Sequence, residues 1–391
     1  MTSSSILSLK ARLLPSNKSI LFVNPDFQCS FFLKDQFRQI GWKADVYKQS
    51  GYPEQLLYSH EYITEKAIFK DIGIGGVANR FFFFLTLILG YKYFLVYGSP
   101  EVFVVFRNKD SYTIYRKSSP ELAILKMLRK KIISFPTGCL EEVLYEDFME
   151  HENGQVCKNC GYEQSVCNDE KNARSFRLRN KYFDFHIANT PIPSKRVNKI
   201  MVRYKSLDLD EYHPHIEIPK QFKLPVSQGV RILHSFYDKH RLHDGKNIKG
   251  SPHIIAAIDR LKSEGYSVEY HYLKDIPARN MRYYQVQADI VVDQLIYGWW
   301  GSAAIEGMAL GKPVVCYLSP SWKKIFLQSF PEYTSLPIVE ANTGNIYEVL
   351  KKLATDKEYR EQKGKESRQF AQQHFDVRRN ARELEKIFLK L

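Results

Sequence analysis

The segment of this chain best suited to chemistry covers residues 288–319 and reads ADIVVDQLIYGWWGSAAIEGMALGKPVVCYLS. An apolar strand that ends at Asp293 leads into a loop with Gly298 and Gly301, and a helix of small residues follows from Ser302. In parallel α/β sheets such a loop lies at the carboxyl ends of the strands, where ligands bind. The N-terminus of the helix offers unpaired N–H groups and a positive dipole end, so the pattern predicts a phosphate-binding turn.

Glu306 lies in the middle of this helix, among alanines and other small or apolar side chains. A buried carboxylate is costly unless it has a partner, and the hydroxyls of a ribose would provide one. The alternative is an ordinary glutamate on the solvent face of an amphipathic helix, because charged side chains are mostly exposed. Spacing alone favours neither interpretation.

The same segment resembles the donor-site signature of retaining GT-B glycosyltransferases of the family-4-like group, in the form found in bacterial polysaccharide synthesis. In that family the position of Glu306 binds the ribose of the nucleotide. A second family glutamate, eight residues earlier and near the donor sugar, is replaced here by Gly298. Either the role of that glutamate is lost in this chain, or it is met by Asp293 or by the backbone amides of Trp300, Gly301 and Ser302. The residues that carry the resemblance are Ala288, Asp289, Asp293, Gln294, Glu306, Met308, Ala309, Gly311, Pro313 and Val314.

A second segment, residues 232–250 (ILHSFYDKHRLHDGKNIKG), resembles the family element in which a strand leads to a basic residue and then to Lys-Gly. The resemblance assigns Arg241 and Lys249 as the catalytic cations that hold the donor diphosphate. Sugar transfer expels a nucleoside diphosphate, and fixed cations stabilise the negative charge that grows on it. His234 and Ser235, at the predicted strand end, are expected to face the donor. A solvated basic loop and a structural histidine are the alternatives.

Strand and helix patterns alternate along both halves of the chain. In the first half, strands are predicted at 19–24, 43–47, 93–97, 101–107, 131–135 and 183–188, with helices at 31–40 and 120–129. In the second half, strands are predicted at 230–234, 266–273, 290–293 and 313–318, with helices at 252–264, 279–287, 301–310, 343–355, 356–375 and 377–391. Two such runs predict two Rossmann-like, doubly wound α/β domains with a deep cleft between them, the GT-B architecture that the resemblance implies.

Composition shifts set the predicted boundaries. They are an acceptor-side domain at 1–210 with an excursion at 138–174, a proline-containing linker at 211–228, a nucleotide-sugar domain at 229–375 and a terminal helix at 376–391. The terminal helix is expected to pack back on the first domain. Residues 71–97 combine a glycine-rich start with an apolar run, which favours a core helix over a membrane-facing patch.

The excursion carries a cysteine cluster formed by Cys139, Cys157, Cys160 and Cys167. Four thiolates from two short loops suit a tetrahedral Zn²⁺ site, so structural zinc is the predicted cofactor. An iron–sulfur cluster is the second candidate, and a redox CxxC or unligated thiols remain alternatives. Four protein thiolates would leave no open coordination position, so the metal is predicted to be structural and no metal is needed for catalysis.

Composition and charge narrow the class of protein. The chain has 391 residues, a formal net charge of +14, 25 Tyr and 25 Phe, which together exclude large-scale disorder. Its basic residues are spread along the chain rather than clustered, which argues against nucleic acid as a partner. No apolar run is long enough for an export signal or a spanning helix. The expected location is cytoplasmic, with peripheral contact at the inner membrane face.

These observations predict a hexosyltransferase-type glycosyltransferase. It would move a sugar from a nucleotide-diphosphate sugar to a glycan or lipid-linked acceptor, with retention, in cell-surface polysaccharide synthesis. The charge and the cysteines leave open a nucleic-acid-binding zinc protein, and Gly298 leaves open a catalytically inactive scaffold. A nucleotide-sugar epimerase on the same fold is the remaining alternative.

Overall fold

The structure is a computed structural model, and it describes most of the chain. The described residues are 17–25, 28–48, 57–64, 74–98, 119–135, 143–161, 167–188, 190–192, 194–236, 242–243, 246–274 and 276–391. The strand predicted at 101–107, Cys139 and Arg241 lie outside these ranges.

The first half of the chain builds a seven-stranded sheet in which neighbouring strands are parallel. Its strands are β1 Ser19–Val23, β2 Lys43–Lys48, β3 Ile63–Thr64, β4 Tyr93–Tyr97, β5 Lys131–Phe135, β6 Phe185–Ala188 and β7 Ile200–Met201, in the order β3-β2-β1-β4-β5-β6-β7. The helices of this half are α1 Cys29–Gln39, α2 Ile74–Gly90, α3 Pro120–Met127, α4 Tyr145–Glu150, α5 Gln155–Lys158 and α6 Asp169–Tyr182. The strand order reverses beside β1, the kind of switch point at which open α/β sheets bind ligands.

The second half builds a five-stranded parallel sheet in the order β11-β8-β12-β13-β14. Its strands are β8 Val230–Phe236, β11 Val268–Lys274, β12 Ile290–Val292, β13 Val314–Cys316 and β14 Val339–Glu340. A short antiparallel hairpin, β9 Leu242–His243 and β10 Lys246–Asn247, lies outside this sheet. The helices are α7 Ser251–Ser263, α8 Ala278–Gln285, α9 Ser302–Ala309, α10 Pro320–Ser329, α11 Ile346–Thr355, α12 Lys357–His374 and α13 Val377–Phe388.

Central strands are buried on both faces, which explains their continuous apolar runs. All five residues of β1 and all three of β12 are buried. Helix α9 packs closely on the second sheet through Gly307, where an added Cβ would lie 3.2 Å from Val314 and 3.3 Å from Val291. A glycine at this point lets the helix approach the strands, and so fixes the position of the turn that precedes it.

The chain passes between the two halves twice, and the two crossings contact each other. The Leu207 N–H donates to the Phe375 carbonyl at 2.8 Å, and the Val377 N–H donates to the Leu207 carbonyl at 3.1 Å. Beyond the second crossing, α13 lies against the first half, where Phe388 stacks on Phe37 with ring centroids 6.1 Å apart. The Trp42 indole N–H donates to Glu385 of α13 at 2.7 Å. The terminal helix therefore belongs, by packing, to the first half.

Helix α2 is the apolar helix of the first half. Phe84, Leu87 and Ile88 are buried in a cluster against the sheet, whereas Phe82 is 63% exposed. This placement agrees with a core helix that leaves the Phe82 ring exposed. Among the described residues, no helix combines the length and the apolar character needed to cross a membrane.

The fold prediction is confirmed: two parallel α/β sheets are flanked by helices, one in each half of the chain. The predicted elements that lie among the described residues were found within a few residues of their expected bounds, because apolar periodicity and proline and glycine punctuation set them. Helices α6 and α10 and strands β3, β7 and β14 were not predicted. One difference matters for the site. Strand β8 runs to Phe236 rather than ending at His234, so His234 lies inside the strand.

Candidate functional site

The loop between β12 and α9 is organised around Asp293. This carboxylate is completely buried, and the Gly301 N–H donates to its Oδ2 at 2.5 Å. The Lys249 ammonium, at the end of the hairpin segment, pairs with its Oδ1. The end of strand β12, the glycine turn and the Lys-Gly element therefore meet at one carboxylate.

The pairing changes what Lys249 can do. Only 8% of the residue is exposed, and its charge is balanced by a carboxylate at contact distance. An ion pair of this kind presents little net positive charge to an added phosphate. The structure therefore places Lys249 beside the glycine turn but pairs it with Asp293, and the Gly301 amide predicted to serve the donor likewise donates to Asp293. Arg241, the other predicted cation, lies outside the described residues.

Glu306 is buried at the interface of the two halves and is 4% exposed. Gln28, the residue before α1 in the first half, donates its side-chain N–H to Glu306 Oε1 at 2.6 Å. Burial raises the pKa of Glu306 to about 7, while hydrogen bonds from Gln28 and Gln285 oppose this effect. The solvent-exposed alternative for Glu306 is therefore wrong, because the carboxylate is desolvated and held by amides.

Charged and phenolic groups surround this carboxylate. Asp293 raises the pKa of Glu306 further and Arg282 lowers it. Arg282 in turn pairs with Glu211 at 3.0 Å and lies 5.6 Å from the ring of Tyr212, which is fully buried. Sequence reasoning missed Gln28, Gln285, Arg282 and Tyr212, because none of them belongs to a motif and Gln28 lies 278 positions from its partner.

His234 has a structural role in this arrangement. It is fully buried, with Nδ1 2.9 Å from the Val292 carbonyl and Nε2 2.8 Å from Ser251 Oγ. Burial lowers the pKa of the ring to about 4, so it is neutral near pH 7: Nδ1–H donates to the carbonyl and Nε2 accepts from the serine. With both nitrogens engaged inside the protein, the predicted ligand contact by His234 is corrected to a link between β8, β12 and α7. Ser235 beside it is 8% exposed.

Gly298 is required by the backbone. Its φ is +94°, a left-handed conformation that side chains rarely adopt, and an added Cβ would lie 3.1 Å from the Cβ of Ser319. Its carbonyl accepts a hydrogen bond from the Ser319 N–H at 2.8 Å. The position therefore cannot carry the family's glutamate in this backbone, and Gly298 contributes a turn rather than a side chain.

Trp300 packs into the core of the second half. It is 6% exposed and stacks on Trp299 with centroids 4.1 Å apart, with Phe326 at 5.3 Å. Its side chain supports the turn from behind, so the predicted donor contact can involve only its backbone. Ser302, the first residue of α9, faces a small pocket instead.

This pocket lies where the two halves meet and is called the cleft pocket below. Three parts of the chain line it: the start of α1, the segment before the first crossing, and the first turn of α9. Its lining residues are Gln28, Cys29, Lys205, Ser206, Leu207, Ser302 and Ile305. Residues of the first half and the start of α9, which belongs to the predicted donor region, therefore line the same pocket.

Three of the four clustered cysteines are described, and all three are free, partly buried thiols. Burial raises the pKa of Cys157 to about 12 and that of Cys167 to about 11, and electrostatic interactions with Cys160 and Asp169 add to both shifts. Within the described residues, no three His, Cys, Asp or Glu side chains form a metal-sized group. Cys139, the fourth predicted ligand, lies outside them, so zinc stays a prediction.

The segment that precedes these cysteines contacts the second half. The ring of His151 stacks on Trp322 with centroids 4.4 Å apart, and the Tyr317 hydroxyl donates to Glu152 at 2.9 Å. Burial raises the pKa of Tyr317 to about 12, and the bond to Glu152 adds to the shift. Trp322 also lies against Gly298, so the excursion contacts the second half beside the glycine turn.

Comparisons with known proteins identify chains of similar fold. No protein-family model matches the chain, and no curated protein matches it by sequence. Sucrose-phosphate synthase from Thermosynechococcus elongatus superposes with a TM-score of 0.58 at 14% identity, covering 95% of this chain and 98% of that one. HepE from Anabaena, in complex with UDP-glucose, gives 0.55 at 14% identity, covering 95% and 100%. A glycosyltransferase from Rickettsia africae gives 0.52 at 12% identity, covering 95% and 98%.

These likenesses extend over nearly the whole chain at low identity, so they concern architecture. The resemblance to GT-B glycosyltransferases is confirmed at the level of the fold. Fold alone does not assign an activity, which has to be argued from the site.

Proposed function

We propose that this protein is a glycosyltransferase that uses a nucleotide-diphosphate sugar. The observation that carries the proposal is Glu306: a carboxylate buried on a helix of the second sheet, held by an amide of the opposite half at 2.6 Å. Keeping an ionisable group there raises its pKa to about 7 through burial, a cost that a purely structural position would avoid. The hydroxyls of a ribose are suitable partners for such a carboxylate.

The structural neighbours support the choice of donor. HepE from Anabaena was solved with UDP and glucose and also with UDP-glucose, and an α-glucosyltransferase that superposes with a TM-score of 0.53 was solved with UDP. At 10–14% identity they do not fix the base or the sugar of this chain. A UDP-sugar is the first donor to test.

The proposed reaction retains configuration at the anomeric carbon. The bond from that carbon to the β-phosphate oxygen breaks, and its electron pair stays on the departing diphosphate. The acceptor hydroxyl oxygen forms the new bond to the same carbon and passes its proton to the diphosphate. No protein nucleophile is assigned, and the described residues contribute binding, orientation and exclusion of water between the two halves. The proposed acceptor is a glycan or a lipid-linked acceptor in cell-surface polysaccharide synthesis.

Nucleotide binding tests the proposal directly. We expect one of UDP, GDP and ADP to bind the full chain with a dissociation constant within roughly 1 μM to 1 mM, the usual range for enzyme ligands. Isothermal titration with the three diphosphates measures this, and the three nucleosides serve as matched controls for the phosphate contribution. If none of the three diphosphates binds, the enzyme assignment is refuted. The alternative suggested by Gly298, a catalytically inactive scaffold, would then remain.

Structural zinc is proposed for the excursion, on the donor set Cys139, Cys157, Cys160 and Cys167. We expect about one Zn²⁺ per chain, because four thiolates complete a closed tetrahedral site. Cys160→Ser should lose the metal and lower the melting temperature, whereas Cys316→Ala, which changes an isolated buried thiol, should keep it. Elemental analysis of the purified proteins measures both. Iron with acid-labile sulfide would indicate a cluster instead, and metal-free wild-type protein would refute the site.

A further inference from the structure

The first half of the chain covers the carboxylate that the proposed function assigns to the ribose. Glu306 is 4% exposed, and Gln28, which contacts it from the first half, is 5% exposed. The side-chain N–H of Gln28 donates to Glu306 Oε1 at 2.6 Å. A ribose therefore cannot contact this carboxylate while the Gln28 amide lies on it.

The space beside this contact is small. The cleft pocket, which Gln28 lines together with Ser302 and Ile305, encloses about 10 Å³. A volume of this size has room for about one water molecule. A nucleotide can therefore reach Glu306 by this side only after Gln28 has moved away from it.

The contact satisfies only half of the Gln28 amide. Its N–H group donates to Glu306, but its Oε1 is buried and accepts no hydrogen bond from any residue that the structure describes. The Oε1 of Gln285, whose side chain also hydrogen-bonds Glu306, is likewise buried without a donor among these residues. A buried acceptor without a donor is destabilising. The contact between the two halves is therefore incomplete at this point, and a ligand with hydroxyl donors could replace it.

We propose that Gln28 makes an autoinhibitory contact: in the nucleotide-free protein its amide takes the place at Glu306 that the ribose takes in the complex. Nucleotide binding then requires Gln28 to leave Glu306, so the first half of the chain controls access to the donor site of the second half. This role of Gln28 rests on the proposed function and adds a regulatory step to it.

Removing the amide should therefore increase the affinity for nucleotide. If only the molecules in which Gln28 has left Glu306 can bind, the apparent dissociation constant is the intrinsic constant divided by their fraction. Gln28→Ala and the near-isosteric Gln28→Met both remove the N–H donor and raise this fraction. UDP should bind to them roughly twofold to tenfold more tightly than to wild type, the factor that corresponds to one net hydrogen bond.

Isothermal titration of wild type, Gln28→Ala, Gln28→Met and Gln39→Ala tests this role, with UDP, or with GDP or ADP if wild type binds one of these instead. Gln39 is the exposed last residue of α1, so Gln39→Ala is a matched control on the same helix and should keep the wild-type affinity. Stopped-flow mixing adds a kinetic measurement. The binding rate of wild type should level off at high nucleotide concentration, because the release of Gln28 then limits it, and the limiting rate should be higher in Gln28→Ala.

The outcomes separate the role of Gln28 from the proposed function. Damage to the fold would lower the affinity, so a gain in both Gln28 variants supports the autoinhibitory contact. The gain should be smaller in the Glu306→Gln background, because the contact is made with that carboxylate. If wild type binds a nucleoside diphosphate and both Gln28 variants bind it equally well or more weakly, the autoinhibitory role is refuted and the donor site stands. A gain of the same size in the Glu306→Gln background also refutes it. If neither wild type nor Gln28→Ala binds UDP, GDP or ADP, the proposed function and the role of Gln28 both fail.

Discussion

Replacing Glu306 by glutamine is expected to weaken nucleotide binding and sugar transfer while stabilising the fold at alkaline pH. A charge-assisted hydrogen bond contributes about 1.5–3 kcal/mol, so affinity for the nucleoside diphosphate should fall roughly tenfold to a hundredfold. Glutamine keeps the shape of the side chain. A loss of affinity would therefore be due to the missing carboxylate charge rather than to a cavity in the protein.

The stability effect follows from the raised pKa. Burial moves the pKa of Glu306 from 4.5 to about 7, with Asp293 raising it further and Gln28, Gln285 and Arg282 lowering it. Between these values the folded protein binds more protons at this site than the unfolded chain, so its stability falls as pH rises from about 4.5 to about 7 and is not regained above. Glu306→Gln removes this ionisation and should be more stable than wild type at pH 8, by up to ~3 kcal/mol.

Two measurements check this prediction. Titration with UDP and with 2′,3′-dideoxy-UDP asks whether wild type distinguishes the ribose hydroxyls and Glu306→Gln does not. Urea unfolding at pH 5 and pH 8 gives the change in stability. Glu340→Gln, which alters a half-exposed carboxylate paired with Lys323, is the matched control and should change neither. Equal discrimination of the two nucleotides by wild type and Glu306→Gln would remove the ribose assignment.

Replacing Asp293 by alanine is expected to destabilise the second half strongly. The substitution leaves the Lys249 ammonium buried without its carboxylate and removes the acceptor of the Gly301 N–H. Breaking one side of a buried ion pair typically costs about 3–5 kcal/mol, because the remaining charge has no partner. The turn before α9 should also lose its conformation, because the Gly301 N–H no longer has its acceptor. Nucleotide binding should be weakened as a consequence.

A double variant distinguishes charge from packing. Lys249→Met combined with Asp293→Ala removes both charges, so it should unfold at higher urea concentration than Asp293→Ala alone. The exposed pair formed by Lys323 and Glu340 provides a comparison, since Lys323→Met should change the free energy of unfolding by less than about 1 kcal/mol. If Asp293→Ala unfolds at the same urea concentration as wild type, the pair does not organise the turn.

Much of the fold was predictable because local patterns decided it. The buried runs of β1 and β12 and the small-residue helix α9 are visible as strands and helix in the sequence, and they were found within a few residues of their predicted bounds. The site was predictable in part. Lys249, Asp293 and Glu306 were named individually, but their partners were not, since a hydrogen bond between residues 28 and 306 leaves no trace in spacing.

The sequence by itself determined the two alternating α/β runs, the glycine turn before α9 and the choice of Glu306, because apolar periodicity and backbone freedom are local properties. The tertiary structure decided how the charges are used. It pairs Lys249 with Asp293, engages both nitrogens of His234 inside the protein, and brings Gln28 and Lys205 to the cleft pocket. Burial and charge pairing depend on distances between remote segments, and only packing sets those distances.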